Sequence, residues 1–258
     1  MAAIIRQIFR RKKEPPLVCS VSLDADVHSE HRHTAACFVD FEPLAIVEFF
    51  QSQGCLSCPP AIPAILEGVN QPNLLLLSYN VTIFDHLGWP DTLASPKWDA
   101  RQRAYAKLWG RNNLYTPMVV GNGVTDGPGA GGRQEITDIV ARSRETNRDL
   151  GWQVYVDVND TDLRIDSDKQ EGEVGVYDIL LAIYDPRLEK IKIKKGPNKG
   201  KKLDHVNVVT DLVKVGEWRG GNTTLPLPTA KSDLPPGKEA VVMLQAPAGG
   251  HILAAAKL

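Results

Sequence analysis

The stretch Leu44-Ala45-Ile46-Val47-Glu48-Phe49-Phe50-Gln51-Ser52-Gln53-Gly54-Cys55-Leu56-Ser57-Cys58-Pro59-Pro60 decides the fold. It opens on an apolar run broken only by Glu48, the pattern of a strand buried on both faces of a parallel-type sheet. The run passes through Gln51-Ser52-Gln53-Gly54 directly into a C-x-x-C pair. Pro59, Pro60 and Pro63 follow, with Ile62, Ile65 and Leu66 at helical spacing. Prolines are tolerated in a first turn, because N–H groups there have no partner within the helix. The pattern predicts a helix that begins at the cysteines and ends near Gly68. Leu74 to Tyr79 reads as a second buried strand, which completes strand–helix–strand.

Downstream, residues 80–113 form a connection rich in Trp, Asp and Arg. Within it 94–108 reads as a helix, with Ser95 as cap, Pro96 at the first helical position and Trp98, Ala104, Tyr105 and Leu108 as its apolar residues. Thr116-Pro117 opens a short strand over 117–121, a glycine-rich turn spans Gly127 to Gly132, and an amphipathic helix carrying Ile136, Ile139 and Val140 closes near 148. After Gly151 the texture turns to β. Runs of strand length at 154–158, 174–184, 190–194, 206–215, 239–245 and 252–256 are separated by Gly, Pro, Asp and Asn. The expected organisation is an N-terminal arm over 1–42, at most partly ordered, an α/β domain over 43–150 with a helical insertion, and an all-β sandwich-like domain over 151–258.

Composition narrows the function classes. The chain has 258 residues, 43% of them hydrophobic and 24% charged, as in globular proteins. Its formal net charge of -1, from 30 basic and 31 acidic residues, gives no overall polyanion-binding signature. The basic run KIKIKKGPNKGKK at 190–202 reads as a strand with a solvated face entering a turn. It carries no aromatic residues for base stacking, so no nucleic-acid partner is expected. No apolar run approaches the roughly 20 residues of a membrane helix. The N-terminus MAAIIRQIFRRKKEPP is too interrupted for a secretory core and reads as a solvated tail. The location expected is cytoplasmic, with a mitochondrial presequence as the alternative. The oligomeric state is not fixed by the sequence.

Of the 4 cysteines, Cys19 and Cys37 lie apart in the N-terminal arm, with His28, His31 and His33 between them. Cys55 and Cys58 form the pair. A thiolate is the nucleophile in disulfide exchange, and the order strand, loop, C-x-x-C, helix sets Cys55 at a helix N-terminus, where unpaired N–H groups favour negative charge. A depressed Cys55 pKa is therefore expected, with Cys55 attacking and Cys58 resolving. Gly54 is expected to turn the backbone and leave the sulfur accessible. A cis Thr116-Pro117 facing the cysteines would offer backbone to an extended substrate and keep metals off the thiolates. His86 is a candidate proton shuttle for Cys58. The Asp85/His86/Trp89/Asp91 cluster also has a structural reading, in which Trp89, Trp98 and Tyr105 pack the insertion onto the sheet. Asp85 and Asp91 then serve as turn or capping residues, paired with Arg101 and Arg103. Two alternatives to redox chemistry stay open: a Cu(I)- or Zn-binding module using Cys55 and Cys58, with His86 as third ligand, and a protein-interaction module. A Cys19/His/Cys37 site is a separate metal candidate.

Val47 to Pro60 resembles the opening of an uncharacterised thioredoxin-like family, known as domain of unknown function twelve-twenty-three. Leu77-Ser78-Tyr79, Asp85 to Asp91, Ala94-Ser95-Pro96, Arg101 to Tyr105 and Tyr115-Thr116-Pro117 continue the similarity. Gly196 to Gly200, Asn207-Val208-Val209 and Gly216-Glu217-Trp218 resemble its second region. The resemblance covers about 43–258. It implies an α/β thioredoxin-like domain with a helical insertion, followed by the sandwich-like β domain. The activity expected is thiol–disulfide exchange at Cys55 and Cys58, with Gly54, Thr116 and Pro117 contacting substrate. No cofactor or resident metal is expected, and the partner would be a protein or small-thiol disulfide.

Overall fold

The computed structural model describes residues 42–159, 161–227 and 229–258. The N-terminal arm, with Cys19, Cys37 and the three histidines between them, lies outside the described residues apart from Glu42. Pro43–Leu258 is one compact unit.

Strand β1 (Ala45–Gln51) is the apolar run of the opening stretch, buried along its whole length. It pairs in parallel with β2 (Leu74–Asn80), from Ala45↔Leu74 to Gln51↔Asn80. Helix α1 (Cys58–Gly68) connects them, with prolines in its first turn and Ile62 and Ile65 buried. β3 (Met118–Gly121) runs antiparallel to β1 on its other side, and β4 (Thr125–Gly127) pairs with β3. Successive side chains of a strand point to opposite faces. Val47 and Phe49 accordingly pack with α1 and α3 (Gly132–Asp149), whereas Ile46 and Phe50 pack on the opposite face with α2 (Pro96–Leu108). The start of α2 matches its sequence signal: Ser95 Oγ accepts from Lys97 N at 3.3 Å, with Pro96 at the first position.

The second half of the chain contributes β5 (Val154–Val158), β6 (Asp162–Ser167), β7 (Tyr177–Asp185), β8 (Glu189–Lys192), β9 (Lys202–His205), β10 (Val208–Trp218), β11 (Thr223–Pro226), β12 (Glu239–Gln245) and β13 (Ile252–Lys257). Here the structure corrects the expected boundary near 150. β7, β10, β12 and β13 extend the sheet of the first half, in the order β13-β12-β7-β10-β2-β1-β3-β4. The seam is parallel pairing of Val208 with Ser78, backed by Ser78 N donating to Asn207 O at 2.9 Å and Asn207 Nδ2 donating to Leu76 O at 2.9 Å. Asn122 bridges the far strands, because its Oδ1 accepts from Ile46 N and its carbonyl from Ile252 N, both at 2.7 Å. Ala182, Tyr184, Val209, Val241 and Met243 consequently share one apolar cluster with Phe50, Leu77, Tyr79 and Trp98. The change of texture at Gly151 marks a switch from strand–helix alternation to consecutive strands, which extend the first-half sheet and add an apolar cluster of their own on its other side.

Sandwich layering is present, but one of its sheets is the extended central sheet. The second is the three-stranded sheet β11-β6-β5, whose Leu163 and Ile165 pack with Ile179, Leu181, Val242 and Leu244. β8 and β9 form a separate hairpin, with Ile193 and Leu203 buried against the α1 side of the sheet. The architecture is mixed α/β, a large mixed sheet with few helices. Among the described residues no helix is long and apolar enough to cross a membrane.

Candidate functional site

β1 delivers the chain into Ser52-Gln53-Gly54-Cys55, and the turn closes through Cys55 N donating to Ser52 O at 3.1 Å. Cys55 Sγ lies at the start of α1, where it accepts from Cys58 N at 3.2 Å, and its thiol reaches Thr116 O at 3.3 Å. Thr116-Pro117 is a cis peptide. The structure therefore brings four of the expected residues together: Cys55, Cys58, Thr116 and Pro117. Both cysteines are free thiols.

Their acidities diverge. A hydrogen bond from the Cys58 thiol, aided by Thr116 and the N–H groups of Ser57 and Cys58, overcomes burial and draws the Cys55 pKa down to about 6. Burial, together with the adjacent Cys55 sulfur, pushes Cys58 far up. Near neutral pH the pair holds one thiolate, on Cys55, and one proton, on Cys58.

The expected accessibility is corrected. Cys55 is 3% exposed and Cys58 0%, and the residues open to solvent between them are Leu56, at 62%, and Ser57. Gly54 serves a steric purpose instead of an opening one, since a Cβ there would sit 2.9 Å from Phe84 O and Phe84 Cβ. His86 lies exposed on a 3-10 turn, Asp85–Leu87, and takes no part in the hydrogen bonds of either cysteine. Arg101 and Arg103 also depart from expectation. They pair with Glu48 and Asp99 in place of Asp85 and Asp91. The two acids are turn residues: Asp85 Oδ1 accepts from Asp91 N, and Asp91 Oδ1 accepts from Leu93 N, both at 2.9 Å.

Three residues from two segments distant in sequence brace the cysteine loop: Trp89 and Asp91, which the sequence singled out without this role, and Asn198, which it missed. Asp91 Oδ2 accepts from Gln53 N at 2.7 Å and from Asn80 Nδ2 at 2.9 Å. Trp89 Nε1 donates to Gln53 Oε1 at 2.8 Å. From the turn between β8 and β9, the fully buried Asn198 donates through Nδ2 to Cys55 O at 2.6 Å and to Gln53 O at 2.9 Å. Asn198 is held in turn by Lys201 Nζ, which donates to its Oδ1 at 3.0 Å. An Asn between Pro197 and Lys199 reads as ordinary turn chemistry, and its one signal was its place in the second region of the resemblance. Asn198→Ala leaves two carbonyls without that donor and is expected to lower stability by about 1–3 kcal/mol in urea unfolding. An unchanged midpoint would show that the brace contributes nothing.

His205, on β9, is 1% exposed. Its Nδ1 faces Gln51 Nε2 at 3.2 Å and Asn80 Nδ2 at 3.4 Å. Two amide donors on Nδ1 put the ring proton on Nε2. Burial lowers the His205 pKa from 6.5 to about 4. The unfolded chain therefore takes up a proton below about 6.5 that the folded one refuses. The corresponding roughly 3 kcal/mol is present above pH about 6.5 and lost as the pH falls to about 4. His251, also lowered to about 4 by burial, acts in the same direction. Denaturant unfolding followed across that window should show stability falling with acidification, and His205→Gln should remove about half of the slope.

Among the described residues no group of three or more His, Cys, Asp or Glu side chains gathers as a metal site. The Cys19/His/Cys37 candidate lies outside the described residues.

The family model described as a protein of unknown function, DUF1223, matches residues 46–245. No curated protein matches the chain. A crystal structure of an Agrobacterium tumefaciens protein from a structural-genomics programme is similar, with 32% identity and a TM-score of 0.65, over 84% of this chain and 94% of that one. HBP35 of Porphyromonas gingivalis is similar in fold alone, with 11% identity and a TM-score of 0.50, over 84% of this chain and 75% of that one.

Proposed function

We propose, from the premise that this chain belongs to the DUF1223 family, that it is a thiol–disulfide oxidoreductase on a thioredoxin-like scaffold. One observation carries the reading: Cys55 Sγ accepts from Cys58 N at the start of α1, beside the Thr116 carbonyl of a cis Thr116-Pro117, with its pKa drawn down to about 6. Such a sulfur is a thiolate at neutral pH, and a thiolate is the attacking species in disulfide exchange.

The Cys55 thiolate attacks one sulfur of a substrate disulfide. A mixed disulfide forms as the substrate S–S bond breaks, and the first substrate sulfur leaves as a thiolate. Cys58 then attacks Cys55 Sγ, its proton leaves with the second substrate sulfur, and the protein is left with a Cys55–Cys58 disulfide. The substrate gains two electrons and the protein loses two. Run backwards, the same steps oxidise a dithiol. Cys58 is protonated until the mixed disulfide forms, which leaves Cys55 as the attacking sulfur. The proton travels with the departing sulfur, so the exposed His86 is not required.

Reduction of insulin or of a glutathione mixed disulfide, coupled to a dithiol donor, tests the reading. Activity that survives a chelator and falls to background in Cys55→Ser supports it. Stoichiometric metal in the purified protein, lost in Cys55→Ser together with any activity, would overturn it in favour of a soft-metal site.

A further inference from the structure

Among the described residues, a dense basic run lies against the cysteine site. The run KIKIKKGPNKGKK over 190–202 holds seven lysines in thirteen residues and no acid, in a chain whose net charge is -1. It forms the β8–β9 hairpin and its turn. Ile193 and Leu203 point inward, into the same apolar cluster as Cys55, Cys58 and Ile62. The lysines that alternate with them point outward: Lys192, Lys194, Lys195, Lys199 and Lys202 are exposed and make no ion pair among the described residues. Lys190 alone is matched to a carboxylate, Asp204, at 3.3 Å.

This basic layer is fixed relative to the nucleophile. Asn198, in the turn, donates to the carbonyl of Cys55 itself at 2.6 Å. Gly196 sits so close to Trp89 that a Cβ on it would be 3.0 Å from Trp89 Cβ. The hairpin's own acids are Glu189 and Asp204, at its base, the latter paired with Lys190. The first turn of α1 carries no acid, Asp91 is buried under three donors, and Asp85 accepts from Asp91 N. Clustered like charges beside a reactive cleft raise the local concentration of the opposite charge and the encounter rate by roughly 10- to 1000-fold, and salt screens the effect.

We propose that the β8–β9 hairpin selects anionic partners for the cysteine pair, namely disulfides flanked by carboxylates. The absence of interleaved aromatic residues sets this apart from a nucleic-acid surface. The inference rests on the thiol–disulfide reading of Cys55, and its test separates the two. The reduced full-length protein is mixed with three disulfide probes: the dianion dithiobis(nitrobenzoate), neutral dithiodipyridine and dicationic cystamine. Rates are followed while the Debye length is shortened from about 30 Å to about 3 Å with salt.

The dianion is expected to lose about tenfold or more in rate with salt, the neutral probe to change little, and the dication to gain. Lys194→Glu/Lys195→Glu/Lys199→Glu, confined to exposed side chains, should reproduce the loss for the dianion at low salt and leave the neutral probe unchanged. Equal salt dependence for all three probes, or no effect of charge reversal, overturns the inference while leaving the redox reading intact. A neutral probe that reacts no faster than with an unactivated thiol overturns the redox reading itself. Oxidised glutathione and a disulfide-linked acidic peptide, run on wild type and triple variant, separate the small from the peptide carrier of this charge. The natural class is the one that loses more rate on reversal.

Discussion

Cys58→Ala will raise the titration midpoint of Cys55 from about 6 to above 7 and will reduce turnover of a disulfide substrate to background. The first effect follows from the order of the contributions at Cys55. Donation from the Cys58 thiol is the largest influence holding the thiolate down, ahead of Thr116 and the backbone N–H groups of Ser57 and Cys58. Alanine removes that donor and keeps the N–H, so the midpoint moves part of the way towards the free-thiol value of about 8.5. Alkylation rate at neutral pH is a poor readout. At pH 7 a midpoint of about 7.5 leaves roughly fourfold less thiolate, offset by a gain of about fivefold in intrinsic nucleophilicity, because reactivity rises with thiol pKa. Thiolate absorbance against pH reads the midpoint directly. The second effect needs no electrostatics: without a resolving sulfur the mixed disulfide on Cys55 accumulates, and its mass is detectable on the intact protein. A midpoint that stays near 6 would assign the acidity to the start of α1 instead of to the cysteine partner. Turnover that persists would remove Cys58 from the mechanism.

The parts of this molecule that were readable in the sequence are those whose cause is local. β1 was visible because a run ending in Phe49-Phe50 has few alternatives to burial on both faces. α1 was visible because Pro59 and Pro60 suit a first turn and Ile62 and Ile65 keep helical spacing beyond it, although Pro63 stands inside the helix, and α2 because Ser95 and Pro96 mark its start. β12 occupies the expected residues, Glu239–Gln245, around the apolar run Ala240 to Leu244. β4, β6, β9 and β11 were missed. They are short and half polar: Asp162–Ser167 buries only Leu163 and Ile165, and Lys202–His205 opens inside a lysine-rich turn. The shared sheet was missed because its seam is a single pairing, Val208 with Ser78, between residues far apart in the chain. At the site, Cys55, Cys58 and Thr116-Pro117 could be named in advance because chemistry restricts which residues can fill those roles. The burial of Cys55 could not be, since it depends on Phe84 and on Asn198, which lies 143 residues away. The pairing of Arg101 followed the same rule. Asp85 and Asp91 are near it in sequence, but folding presents Glu48 to it, from the centre of the sheet.

That pair carries the largest expected stability effect. Glu48 is a fully buried carboxylate on a central strand, and the Arg101 side chain that meets it is 8% exposed. Arg101 Nε donates to Glu48 Oε1 at 2.5 Å, and Arg101 Nη2 donates to Gln245 Oε1 at 3.0 Å and Tyr105 Oη at 3.2 Å. Tyr105 donates to Glu48 Oε2, while Gln245 Nε2 donates to Tyr105 Oη at 3.0 Å and Gly250 O at 2.7 Å. The guanidinium also lies over the rings of Tyr79 and Tyr105, 5.6 and 5.5 Å from their centroids. One network thus ties β1 and α2 from the first half of the chain to β12 from the second. Removing one member of a buried pair leaves the other as an uncompensated charge, which costs about 3–5 kcal/mol, whereas replacing both with apolar groups of similar volume is often near neutral. Arg101→Met is therefore expected to lower the unfolding free energy by about 3–5 kcal/mol in urea, and Glu48→Leu/Arg101→Met to recover most of that loss. If the single variant loses less than about 1 kcal/mol, the pair behaves as an exposed one and does not hold the two halves together. If the double variant is as unstable as the single, the cause is lost packing of the guanidinium on Tyr79 and Tyr105, not the stranded carboxylate. Because Glu48 lies on the strand that delivers the cysteine loop, the Cys55 titration midpoint in the double variant separates the two roles. An unchanged midpoint makes the network a fastening between the halves, and a shifted one makes it a support of the thiolate as well.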